Sequence, residues 1–188
     1  MSAVLWLVGE PGAGKTTLAR QIIEVPSKMT AKPKWTIGSK VVAAGHYTGG
    51  KFDGADTVPY NGAKEALAFW REMLAHKAEL TLLDGDRFSN ATAVEFFKSY
   101  VGPGGRPRLL CVLLKPSAEL AAERRKLRGS DQNETWLKGR VTKANNFYEG
   151  FPADDRATLH ANFTDTPEHL AFLLRTFLGK MDLVLGKV

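Results

Sequence analysis

The sequence predicts an α/β fold, a five-stranded parallel sheet flanked by helices on both faces. Two observations predict it. Short apolar runs alternate along the chain with segments whose apolar residues recur at helical spacing, the rhythm of strand–crossover–strand units. The first apolar run also leads directly into Gly9-Glu10-Pro11-Gly12-Ala13-Gly14-Lys15-Thr16, a G-x-x-x-x-G-K-[ST] sequence that works only between a strand and a helix.

The first strand is Val4 to Val8, apolar throughout and so buried on both faces. The helix after the glycines runs from Thr16 to Glu24, with Leu18, Ile22 and Ile23 on one stripe. The second strand is Lys40 to His46, centred on Val41, Val42, Ala43 and Ala44, and the third is Leu80 to Leu83, ending at Asp84. Between them Ala63 to His76 carries Ala66, Leu67, Trp70 and Leu74 at helical spacing. Asn90 to Tyr100 is the next helix, with Val94, Phe97 and Val101 on its stripe. The fourth strand is Arg108 to Leu114, followed by a helix from Ser117, a good N-cap, to Leu127. The fifth strand is Ala157 to Phe163, and Thr166 with Pro167 opens a last helix to Phe177.

The glycine-rich turn has a definite chemistry. Gly9, Pro11, Gly12, Ala13 and Gly14 shape a loop whose backbone amides converge on phosphate oxygens, and Lys15, Thr16 and Thr17 carry it into the positive end of a helix. Lys15 is placed for the β- and γ-phosphates and the Thr16 hydroxyl for Mg²⁺. The expected ligands are therefore ATP and Mg²⁺. This is the P-loop NTPase fold, and its Mg²⁺ is held also by a carboxylate ending an apolar strand, the position of Asp84. Asp86 and Arg87 follow, candidates to orient an acceptor hydroxyl and to grip an acceptor phosphate, or simply to cap the turn.

Two segments interrupt the rhythm at the carboxyl edge of the sheet, where ligands bind in such folds. The loop His46 to Gly62 is rich in Gly and Asp. Asp53 and Asp56 are candidates to position an acceptor, His46 and Lys51 to contact it, and Tyr47 and Phe52 to stack on a base. Residues 124–146 are basic, with Arg124 and Arg128 one helical turn apart and Gly129-Ser130-Asp131 as a hinge-like turn. They read as an Arg-rich lid whose guanidiniums stabilise a transferring phosphoryl group, or as a solvated helix face paired with Glu119 and Glu123. Trp6 and Trp70 sit at core spacing, and Trp136 is a candidate anchor of the lid.

The chain of 188 residues, 44% hydrophobic and 24% charged, is read as one domain spanning 1–188. No apolar stretch reaches the roughly 18 residues of a membrane span, and no signal-peptide pattern opens it, so a cytoplasmic location without membrane contact is expected. Cys111, in an apolar strand with no base nearby, reads as a core residue. The net charge of +6 suits a polyanionic partner such as DNA, and equally a solvated basic surface; nothing indicates an obligate protein partner.

Four stretches, Val42-Ala43-Ala44-Gly45-His46-Tyr47-Thr48-Gly49, Phe52-Asp53-Gly54-Ala55-Asp56, Asp84-Gly85-Asp86-Arg87-Phe88-Ser89 and Glu123-Arg124-Arg125-Lys126-Leu127-Arg128-Gly129-Ser130, resemble the phage-type 5-hydroxymethyluracil DNA kinases. The resemblance implies a P-loop kinase fold and transfer of the ATP γ-phosphate to the hydroxymethyl group of 5-hydroxymethyluracil in DNA, a step of thymine hypermodification. The residues themselves, rather than the resemblance, offer Lys15, Asp53 or Asp86, and Arg124 or Arg128 as the catalytic candidates for that reaction. A kinase of nucleoside monophosphates or other small molecules shares every nucleotide-site residue. An assembly or switch ATPase is the third expectation, disfavoured by the acceptor-like loop.

Overall fold

Alternate residues of the first strand bury in opposite directions, and each set gathers its own helices. The computed structural model describes residues 2–23, 27–50, 53–130 and 132–183. Ala3, Leu5 and Leu7 of β1 (Ala3–Val8) enter a core shared with α1 (Lys15–Ile22) and α6 (Pro167–Gly179). Val4, Trp6 and Val8 enter the opposite core with α2 (Ala63–Phe69), α3 (Ala91–Ser99) and residues from α5 (Glu134–Glu149). The period-two pattern on a strand that is apolar everywhere is what a sheet covered on both faces requires.

The sheet has seven strands rather than the five predicted, in the order β2-β3-β4-β5-β1-β6-β7. The parallel five are those read from the sequence: β4 (Val41–Ala44), β5 (Leu80–Asp84), β1, β6 (Arg108–Pro116) and β7 (Arg156–Ala161). The addition is an antiparallel hairpin on the edge, β2 (Lys28–Met29) and β3 (Trp35–Ile37), with β3 antiparallel to β4. Strands of two and three residues are too short to show a periodicity, so the sequence did not betray them. Predicted boundaries move little. β4 ends at Ala44 because Gly45 takes φ +96° and turns the chain. The helix from Ala63 changes at Trp70 into a π-helical turn, Trp70–Leu74.

The N-caps behave as their residue types predict. The side chains of Asn90, Ser117 and Thr166 accept hydrogen bonds from Ala93, Leu120 and His169 at 3.0, 3.2 and 3.2 Å. Between β6 and β7 lie α4 (Ala118–Leu127) and α5, so most of the segment read as a lid is two helices. α5 escaped the sequence reading because basic and polar residues dominate it: Leu137, Val141, Ala144 and Tyr148 recur at helical spacing, but Ala144 is its one buried residue. Trp6 and Trp70 are core residues as expected, their indoles donating to Phe88 O at 2.9 Å and Thr81 Oγ1 at 2.8 Å. Cys111 is buried, and burial pushes its thiol pKa up. Among the described residues no helix is long and apolar enough to cross a membrane.

Candidate active site

Register alone brings two distant stretches together. Leu7 pairs with Asp84 across β1 and β5, so the strand leading into Gly9 ends beside the strand ending in the carboxylate. The result is direct contact: Thr16 Oγ1 donates to Asp84 Oδ2 at 2.7 Å. The other carboxylate oxygen, Oδ1, accepts from the Tyr47 hydroxyl at 2.6 Å and the Ala55 amide at 2.8 Å. Asp84 is buried, and that burial raises its pKa above the ordinary 3.8 although three hydrogen bonds and Lys15 pull it down. Burial next to that carboxylate pushes the Tyr47 phenol well above its usual pKa.

Gly12, Gly14 and Gly9 hold positive φ angles, as the phosphate loop demands, and a Cβ on Gly12 would come within 2.7 Å of Ala121 O. Lys15 Nζ donates to the carbonyls of Gly9 and Glu10 at 2.8 and 2.9 Å, folded back over its own loop. Burial lowers its pKa below the usual 10.5, against the pull of Asp84, Asp86 and Asp56. Arg125 bonds Glu10 Oε2 and Pro11 O, both at 3.0 Å, and Arg124 Nη1 bonds Ala13 O at 3.1 Å, so α4 braces the loop from behind. The donor set fits the expected ligands. A hydroxyl and a carboxylate at 2.7 Å are hard oxygen donors suited to Mg²⁺, and a glycine-walled loop beside a lysine suits a polyphosphate. Among the described residues no group of three or more His, Cys, Asp or Glu could hold a metal, so the remaining ligands would be phosphate and water.

A cleft of about 290 Å³ opens over this loop. Its walls include Lys15, Thr16, Asp56, Asp86, Arg87 and Arg128 from the predicted set. Trp136 and Arg140, from the segment read as a lid, also line it, as does Tyr60, which the sequence did not single out. A second cavity of about 270 Å³ lies on the far side of Gly14, walled by Thr17, Arg124, Leu127, Arg128 and Leu170. Arg128 borders both.

Two guanidinium–aromatic stacks line the cleft beside Asp86. Arg87 lies 3.5 Å from the centre of the Tyr60 ring, and its Nη1 is buried without a hydrogen-bond partner among the described residues. Arg140 lies 4.7 Å from the Trp136 ring and donates to Asp86 Oδ2 at 2.6 Å, with Lys143 Nζ 3.9 Å from the other oxygen. Trp136 and Arg140 are one helical turn apart on α5, a spacing visible in the sequence once a helix is assumed. The Asp86–Arg87 corner is held from below by fully buried Phe88, whose carbonyl Trp6 holds, and by Ser89 Oγ bonding Gly85 O at 2.7 Å.

Other predicted residues lie off the cleft. Asp53 accepts from the amides of Thr48 and Gly49 at 2.6 and 3.2 Å and pairs with Arg20 at 3.3 Å, so its oxygens hold the loop. The His46 ring bonds Thr30 O at 2.6 Å. Tyr47 is buried against Asp84 with no open ring face for a base. Lys51 and Phe52 lie outside the described residues. The loop is closed by Gly54, whose amide donates to His46 O at 2.7 Å. Its φ is +64°, and an added Cβ would sit 2.7 Å from Asp84 Oδ2 and 2.9 Å from Thr16 Cγ2. Gly54→Ala is therefore expected to destabilise the fold by about 1–3 kcal/mol, read as a lower Tm, and to depress phosphoryl transfer by displacing the Thr16–Asp84 pair.

The fold and this site define an α/β protein in which a glycine-rich P-loop joins the first strand to its helix beside a strand-terminal carboxylate. The chain is similar to a gluconokinase from Sinorhizobium meliloti at 16% identity, covering 95% of this chain and 93% of that one with a TM-score of 0.51. It is also similar to a shikimate kinase from Acinetobacter baumannii solved in complex with shikimate, at 18% identity, 96% and 95% coverage and a TM-score of 0.52. It shares their fold over nearly its whole length. No protein-family model and no curated protein matches the chain.

Proposed function

We propose that this protein is an ATP-dependent kinase that phosphorylates the hydroxymethyl group of 5-hydroxymethyluracil in DNA. The observation that carries phosphoryl transfer is the Thr16–Asp84 pair, joined by one cleft to Lys15 on the donor side and Asp86 on the acceptor side. The DNA-base acceptor rests on the resemblance of the four stretches and on the two stacks at the acceptor end, since a flipped or unpaired base offers a planar face to aromatic and guanidinium groups.

Each residue has a definite part in the reaction. The loop amides and Lys15 hold the β- and γ-phosphates, and Arg128 meets the charge that spreads over the γ-phosphoryl oxygens. Asp86 accepts the hydrogen bond of the acceptor hydroxyl. The hydroxyl oxygen forms a new bond to the γ-phosphorus while the bond to the β–γ bridging oxygen breaks, ADP keeps that electron pair, and the hydroxyl proton passes to Asp86 and then to water. Thr16 and Asp84 would hold Mg²⁺, which when bound neutralises phosphate charge as it develops. Asp86 is preferred to Asp53 because it lines the cleft with Oδ1 facing only Lys143, at 3.9 Å, whereas Asp53 lies off the cleft with both oxygens spent on the loop and Arg20.

A small-molecule acceptor is the second reading, favoured by the fold shared with gluconokinase and shikimate kinase. The two are separated with γ-labelled ATP and parallel acceptors: an oligonucleotide containing 5-hydroxymethyluracil, the matching thymine oligonucleotide, nucleoside monophosphates, gluconate and shikimate. Label on the modified oligonucleotide alone is the expected result. Label on a monomer and none on DNA would overturn it. The stacks predict a further outcome. Tyr60→Ala and Trp136→Ala should each raise the KM for the acceptor by about tenfold, from about 1–3 kcal/mol of lost stacking, with the KM for ATP unchanged.

A further inference from the structure

The edge hairpin is the one element that neither the nucleotide site nor the predicted sheet accounts for. Between residues 27 and 40 the chain carries Lys28, Lys32, Lys34 and Lys40 and no Asp or Glu. Lys40 pairs with Glu79 at 3.4 Å. Lys28, Lys32 and Lys34 form no ion pair with a described residue, and Lys28 and Lys32 are exposed. The direction of the hairpin decides where that charge lies. β3 runs antiparallel to β4 with Trp35 opposite Ala44, so the turn at residues 30–34 falls at the carboxyl edge of the parallel strands, the edge that bears Asp84. It is fixed there by Gly45 N to Lys34 O at 2.9 Å and by the His46 ring on Thr30 O at 2.6 Å.

A groove of about 300 Å³ runs along this turn. Ala31, Lys32, Pro33 and Lys34 form one wall, and the other comes from the segment Val58 to Glu65. Pro59 and Asn61 line the groove, and the residue between them, Tyr60, lines the phosphoryl-transfer cleft. The two hollows are thus neighbours divided by one exposed aromatic side chain stacked on Arg87. Glu65 is the one acid of the groove and stands on the wall facing the lysines.

We infer that the β2–β3 hairpin is a docking site for the phosphate backbone of the DNA acceptor strand, with Lys28, Lys32 and Lys34 neutralising phosphates next to the base that enters the cleft past Tyr60. The inference rests on the DNA-acceptor reading above. Lys32 and Lys34 along a groove that leads to the reacting site, with exposed Lys28 further along the same hairpin, suit a repeating anion rather than a single one, and a small acceptor bound wholly within the cleft has no use for them. The charge is also sequence-independent, so it places the strand while the cleft selects the base.

The test is a variant with Lys28, Lys32 and Lys34 all changed to Ala, compared with the wild type on a single-stranded oligonucleotide containing 5-hydroxymethyluracil. Binding is followed by fluorescence anisotropy and phosphorylation by label transfer across a range of salt concentrations. The expected result is a KM for the oligonucleotide raised tenfold or more, and a slope of log affinity against log salt flatter by about 2, from about 0.7 for each of three phosphate contacts. The KM for ATP and the melting temperature should be unchanged. A wild-type protein that phosphorylates the oligonucleotide with a salt slope identical to the variant's would overturn the hairpin site and leave the proposed reaction standing. A wild-type protein that binds the oligonucleotide in a lysine-dependent way without phosphorylating it would support the site and overturn the reaction. A wild-type protein that does not bind the oligonucleotide would overturn the site.

Discussion

Lys15→Ala should lower kcat by about 10³-fold, about 4 kcal/mol of transition-state stabilisation, while leaving the fold intact. The size follows from what the ammonium does. It is a preorganised positive charge in a partly buried site, where its field acts on developing phosphate charge with little screening. The fold should survive because Lys15 donates only to the carbonyls of Gly9 and Glu10, both in the partly exposed loop, where water replaces it. Lys15→Met, which keeps most of the apolar stem, should be as inactive as Lys15→Ala. Single-turnover measurements at saturating ATP would separate the chemical step from binding. A kcat equal to that of the wild type would sink the P-loop assignment.

Asp84→Asn should produce the second large effect, in two opposite directions. Activity should fall by about 10²–10³-fold, because the variant keeps the shape of the carboxylate and loses the charge that a divalent cation needs. Stability of the nucleotide-free protein should rise. Folding raises the Asp84 pKa above its ordinary value, so its stabilising contribution is complete below about pH 3.8 and is lost as the pH rises through the folded value. At neutral pH the ionised, buried group therefore weighs against the fold. Asn keeps an acceptor for Tyr47 and Ala55 and removes that charge. The Tm at pH 7 should increase, by about 2–4 °C for each kcal/mol regained, and the advantage over the wild type should shrink towards pH 4. Mg²⁺ with ATP should then raise the wild-type Tm more than that of the variant. Thermal unfolding across pH, with and without Mg²⁺·ATP, checks both signs. A variant less stable at pH 7 and equal at pH 4 would contradict the account of Asp84.

How much of this site was legible depends on how local its chemistry is. Lys15, Thr16 and Asp84 could be read because a phosphate loop and a strand-terminal carboxylate each lie within a few residues of chain, and register does the rest. The five parallel strands were legible because each is an apolar run flanked by turns or helices. The hairpin strands were too short to show a pattern, and the apolar residues of α5 are outnumbered by polar and basic ones, with only Ala144 buried. Tyr47 illustrates the remaining difficulty. In sequence it is an aromatic in a Gly-rich loop, which suggests a free ring. Its burial and its bond to Asp84 depend on a fold-back of the loop onto a strand 37 positions away. Asp53 and His46 were likewise chosen for chemical type, and the fold uses both to fix the loop. Tyr60 gained meaning only when α5 and the segment after Gly54 came to share a cleft, where Trp136, read as a lid anchor, also stands.

The two oxygens of Asp84 divide their labour. Oδ2 faces Thr16, the partner of the expected cation, while Oδ1 is committed to Tyr47 and Ala55. Half of one carboxylate therefore tethers Tyr47 and Ala55. The conformational entropy of those two residues is surrendered when the chain folds, so on the proposed reaction binding energy need not be diverted to ordering them. If the proposed reaction holds, the acceptor meets Tyr47 and Ala55 already fixed. The difference should appear as a small heat-capacity change on acceptor binding, the mark of a lock cut before the key arrives.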